Sequence, residues 1–168
     1  LVRRVEQETS TELERLGSEK GLTAATAGEL EPEAVLRAAY RSEKRALETF
    51  LEWAENEPDS ELRGSFTDVA TLELDHCNRV RNLLPPGEKD PDPSPGPLHE
   101  YLRGLDSSLE RIGGGLIGRL LVSDATFAQT VGFFVGRGDS EKADLFRELR
   151  EDNRSLLELG KELAHAHC

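Results

Sequence analysis

The chain is 168 residues long, enough for one domain with a sizeable buried core. Acids outnumber bases 33 to 21 and the net charge is −12, a field that repels nucleic-acid phosphates and anionic lipid headgroups, so neither nucleic acid nor membrane is expected as a partner. The bases are 16 Arg and only 5 Lys, an acidic, Lys-poor composition that reads as adaptation to salt and suggests a halophilic source.

Periodicity is helical nearly throughout, and no strand pattern competes with it. Residues 1–19 read as an amphipathic segment with Val2, Val5, Leu13 and Leu16 on one side, and "GLTAATAGELEP" breaks it. Residues 1–30 are therefore expected as an N-terminal helix and linker, and 31–168 as a helical bundle, within a single domain overall. Helix A is predicted over 32–55, with Pro32 near its first turn, where a missing N–H does no harm. "NEPDSE" is a turn in which Asp59 or Ser60 caps helix B, 60–84. "PPGEKDPDPSPGP", 85–97, ends helix B and is long enough to cross the end of a bundle. A short helix over 98–111 precedes helix C, 115–136, and "GRGDSE" leads into helix D, 140–164. The apolar window 113–136 is long enough to span a bilayer, but Arg119, Asp124 and Gln129 are each costly in lipid, so a buried helix of a soluble protein is expected. Two cysteines, Cys77 and Cys168, are too few for a disulfide framework, and no leader pattern opens the sequence, so the expected compartment is the cytoplasm.

At about 100° per residue, each long helix can be tested for what shares its apolar stripe. In helix A the stripe is Leu36, Ala39, Tyr40, Ala46, Leu47, Phe50 and Ala54, with Glu43 in its middle. In helix B, Glu73, His76 and Cys77 lie among Leu62, Phe66, Val69, Ala70, Val80 and Leu84. Helix C is read as centred on Asp124, flanked by Ile117, Leu120, Leu121, Phe127, Ala128, Val131 and Val135. Helix D presents Leu145, Phe146, Leu149, Leu156 and Leu163, with Asn153 inside. Burying an isolated carboxylate is costly unless it is paired, protonated or metal-bound, so polar residues at the centre of four buried stripes point to a metal or polar centre. Glu-x-x-His puts both side chains on one helical face, within reach of one ion.

Glu43 in "AAYRSEKRALETF", followed 30 residues later by Glu73-x-x-His76 in "DVATLELDHCNRVRNLL", resembles the first half of a rubrerythrin-like, ferritin-like protein. The resemblance covers 32–165. It implies an all-α, ferritin-like four-helix bundle, here with an extra N-terminal helix and a short helix in the central crossover. In that family each of two helix pairs supplies a Glu and then a Glu-x-x-His, together binding two irons. The second half departs from the pattern: Asp124 stands where Glu is expected, and Asn153 and Leu156 stand where Glu-x-x-His is expected, with Glu148 and Glu151 at the edge of the stripe or outside it. The ligands implied are thus Glu43, Glu73, His76 and Asp124, with Asn153 as a weak ligand or a partner to one. They suit iron, with manganese or zinc as alternatives, in a mononuclear or incomplete di-iron site. No Cys-x-x-Cys pair is present to form the rubredoxin segment that many rubrerythrins carry.

Elsewhere, "AHAHC" places His165, His167 and Cys168 close enough to bind zinc or copper, but a frayed terminus is the favoured reading. "GGGLIG" lacks the strand and the Lys-Ser/Thr of a phosphate loop. Two functions are expected to compete. One is a metal-binding protein or an iron-dependent oxidoreductase handling peroxide or dioxygen. The other is a metal-free scaffold of the same fold acting as a regulatory or protein-interaction module. The resemblance implies a homodimer, for which the N-terminal helix offers a surface.

Overall fold

The computed structural model describes Arg4 and residues 7–16, 18–86 and 97–167. Val2, Val5, the Leu16 side chain, most of the 85–97 crossover and Cys168 lie outside the described residues. Within them the chain is all helical: α1 (Ser10–Leu16), α2 (Glu19–Ala25), α3 (Pro32–Asn56), α4 (Ser60–Arg81), α5 (Pro97–Arg103), α6 (Ser108–Glu110), a π-helix (Arg111–Gly118), α7 (Arg119–Gly136) and α8 (Ser140–His167). None of these helices is long and apolar enough to cross a membrane. Two compact units form, one from Leu36–Arg111 and the other from the residues up to Val35 together with those from Ile112 onward.

In the unit Leu36–Arg111, α3 and α4 make a helical hairpin. Asp59 closes the turn as the N-cap of α4, its carboxylate accepting from the Glu61 and Leu62 N–H groups at 2.9 and 3.0 Å. Phe50, Trp53 and Phe66 pack near the turn, with Phe50 and Trp53 edge-to-face at 5.3 Å between centroids. A buried ion cluster lies beside them. The Glu57 carboxylate accepts from Ser108 Oγ at 2.9 and 3.0 Å and from the Asp59 N–H at 3.3 Å. Arg111, lying over the Trp53 ring, approaches Glu57 Oε2 to 3.5 Å.

In the other unit, α7 lies against α8, and Phe127, Phe134 and Phe146 form its aromatic core, with Phe134 stacked on Phe146 at 5.9 Å. Gly160 of α8 lets the helices meet closely: a Cβ there would stand 3.2 Å from Ile117 Cγ1 and 3.3 Å from Leu116 Cβ. The link from α7 to α8 turns at Gly138, whose φ of 72° lies in the left-handed region that glycine enters without strain.

Four expectations are corrected. The expected single segment to residue 19 followed by a break at 21–32 is replaced by two helices: α1 ends at Leu16, α2 starts after Ser18 and runs to Ala25 with Leu22 buried, and the chain then turns at Ala27 and Gly28, whose φ angles are 53° and 89°. The expected short helix over 98–111 is split, because Ser107 and Glu110 form a capping box that starts a fresh helix. The glycines at 113–115 do not end that helix. They sit in the π-helix, whose wider turn runs straight into α7. Finally, α7 is rotated by one residue from the expected stripe. Its buried face runs through Leu120, Ser123, Phe127, Thr130 and Phe134, while Val135 is 51% exposed. Phe127 belongs to both faces, and burying Phe134 in place of Val135 removes more apolar surface from water, which sets the register.

Candidate metal centre

Glu43 sits 14 residues before Glu57, and Glu73 sits 14 residues after Asp59. At about 1.5 Å per residue, both lie roughly 21 Å from the turn, so an antiparallel hairpin brings them level. His76 is three residues beyond Glu73 on the same face of α4. All three side chains are fully buried. His76 Nδ1 and Glu43 Oε2 stand 3.0 Å apart, and one ligand atom from each of the three residues lies within 4.8 Å of the other two. With the carboxylate as acceptor, the ring carries its proton on Nδ1 and donates it to Glu43.

The donor set can be tested against a metal directly. Two carboxylates and an imidazole are hard to borderline ligands, the set that iron and manganese take. Bonds of about 2.1 Å place two ligands of one ion roughly 3.0 Å apart at a right angle and roughly 4.2 Å apart when opposite, so ligand atoms within 4.8 Å of one another would draw together to close on an ion. Among the described residues this is the cluster of ligating side chains that could hold a metal ion, and it comprises three of the five positions expected from the sequence.

The other two lie in the other unit, each with its own local partner. Asp124 sits on the flank of α7, its side chain 31% exposed. Arg150 donates to both its oxygens, Nε to Oδ1 at 3.0 Å and Nη2 to Oδ2 at 2.9 Å, and Arg154 Nε is 3.5 Å away. The one-residue rotation of α7 accounts for this position. Asn153 is buried as expected, and its Nδ2 donates to Ser123 Oγ at 2.9 Å while Oδ1 accepts no hydrogen bond. Leu156 is buried, and Glu148 and Glu151 are exposed, as their helical angles indicated. Cys77 is a buried thiol beside His76 in sequence. His165 and His167 are exposed in the last turn of α8.

Sequence reasoning missed Ser123 and Glu57. Ser123 differs from its neighbour Asp124 only in helical angle, and Glu57 read as an ordinary turn residue. No family model, curated protein or solved structure matches the chain.

Proposed function

We propose that the chain is a metal-binding helical protein of the ferritin-like, rubrerythrin-like kind, holding one iron or manganese ion between Glu43, Glu73 and His76. The observation that carries this reading is that two carboxylates and an imidazole, all fully buried, bring ligand atoms within 4.8 Å of one another. Buried charges of this kind are stabilised by a cation far better than by one another. Glu43 and Glu73 would supply the negative charge that neutralises the ion, and His76 would give up its Nδ1 proton to ligate. Iron at this position supplies one-electron chemistry toward dioxygen or peroxide, which makes an oxidoreductase the activity to assay first.

A second reading has its own support. The 3.0 Å contact between Glu43 and His76 satisfies both groups without a metal, as a scaffold that works by binding other proteins would require. Elemental analysis of tag-free protein, before and after aerobic incubation with Fe(II), separates the two. The metal reading expects near-stoichiometric iron or manganese that is lost in Glu43→Ala and in Glu73→Ala/His76→Ala. Metal-free protein under both conditions would leave the scaffold.

A further inference from the structure

A cleft of about 340 Å³ opens in the unit that contains α7, between α2, the strand-free stretch around Leu30 and the C-terminal half of α7. Its walls are apolar: Leu22, Leu30 and Phe133. Its floor is the helix itself at Gly132 and Gly136, one turn apart. A Cβ at either glycine would meet nothing within 4 Å. Both glycines are exposed; Gly132, inside α7, costs the helix about 1 kcal/mol relative to alanine, whereas Gly136 is its last residue, and the absence of a side chain at either leaves this side of the cleft open.

Two polar groups converge on this space. Arg137 lies at the rim, its guanidinium 3.7 Å above the Phe133 ring and its Nη2 donating to the Leu30 carbonyl at 2.8 Å. These two contacts fix the guanidinium without neutralising it, and Arg137 makes no ion pair among the described residues. That is notable in a chain with 33 acids to 21 bases. Gln129 adds an amide to the lining.

We infer that this cleft binds a small amphipathic anion, a carboxylate carrying a short aliphatic or aromatic body. The carboxylate pairs with the open donors of Arg137, and the body lies over the glycine floor between Leu22, Leu30 and Phe133. The volume falls within the usual range of small-molecule pockets, and the lining sets the apolar side chains of Leu22, Leu30 and Phe133 beside the polar Gln129 and Arg137. Guanidinium forks match carboxylates, and a fork already held against a ring loses little freedom on binding. The site is independent of the proposed metal centre, since none of its residues belongs to the Leu36–Arg111 unit.

Isothermal titration of the full chain with octanoate, with octanol as the uncharged control, tests the inference. Saturable octanoate binding at one site per chain is expected. Gly132→Leu fills the cleft and should weaken that binding at least about tenfold, while the better helix former holds or raises the melting temperature, so misfolding cannot mimic the loss. Arg137→Gln should weaken octanoate about tenfold and leave octanol unchanged, as the loss of one charge-assisted contact requires. Absence of saturable octanoate binding by the unmodified chain, or binding that Gly132→Leu leaves intact, overturns the inference. Equal weakening of octanoate and octanol by Arg137→Gln overturns the assignment of an anion.

Discussion

Replacing Glu57 by alanine removes the anion at the centre of the buried cluster beside the α3–α4 turn. The Glu57 side chain is fully buried and that of Arg111 is 14% exposed. Deletion therefore strands a guanidinium that keeps only its Nε bond to the Leu105 carbonyl, at 3.1 Å, and its position over Trp53. It also removes the acceptor for Ser108 Oγ. Breaking a buried pair from one side costs about 3–5 kcal/mol. The 3.5 Å approach and the residual exposure of Arg111 put this case at the lower end, about 3 kcal/mol. For a chain of this size, each kcal/mol moves the melting temperature by about 2–4 °C, so a drop of roughly 6–12 °C is expected in a calorimetric scan. Glu57→Gln keeps an acceptor for Ser108 and should lose less. The double variant Glu57→Ala/Arg111→Met should recover part of the loss, because the stranded charge is gone. A loss under about 1 kcal/mol, with no coupling between the two positions, would refute the reasoning.

Three further outcomes are expected. Gly160→Val should destabilise by about 1–2 kcal/mol in denaturant unfolding, because its methyls overfill the contact with Leu116 and Ile117 by more than the helix gains from losing a glycine; an unchanged midpoint would mean that α8 and the π-helix give way freely. Hydrogen bonds from Ser107 hold the Glu110 carboxyl below its ordinary value of 4.5, so the ionised cap stabilises the fold above that pH and the benefit is lost as pH falls through the lowered value; the stability difference between the parent chain and Ser107→Ala should therefore shrink on acidification, and growth of that difference would contradict the capping box. With a net charge of −12, raising potassium chloride from about 0.1 to about 1 M, which shortens the screening length from roughly 10 to 3 Å, should raise the melting temperature, and a fall would show that attractive surface pairs outweigh the self-repulsion.

The helices most legible in the sequence were those whose apolar stripes had a single reading. In α4, every residue expected inward is buried, including Glu73, His76 and Cys77, and the 43/73/76 cluster follows from that phase together with the short turn at 57–59. In α7 the expected stripe took Val131 and Val135 inward and left Phe134 out, whereas the structure buries Phe134 and exposes Val135. Ser123 and Thr130 look like surface residues, yet Thr130 Oγ1 donates to the Thr126 carbonyl at 3.1 Å, and a hydroxyl satisfied within its own helix is cheap to bury. Asp124 moved to the flank with that rotation. The π-helix left no mark in the periodicity, because its glycines read equally well as a linker. Glu57 was hidden for another reason: its partners Ser108 and Arg111 lie about fifty residues away, joined to it only by the fold.

The most direct test of the proposed metal centre is anomalous X-ray diffraction at the iron edge from crystals of the full chain grown after aerobic Fe(II) loading. One peak per chain, within bonding distance of Glu43, Glu73 and His76 and absent from His76→Ala crystals, is the expected result. Loaded crystals with no peak there, or with iron only at the exposed His165 and His167, would contradict the proposal and leave the buried Glu43–His76 contact as a structural hydrogen bond.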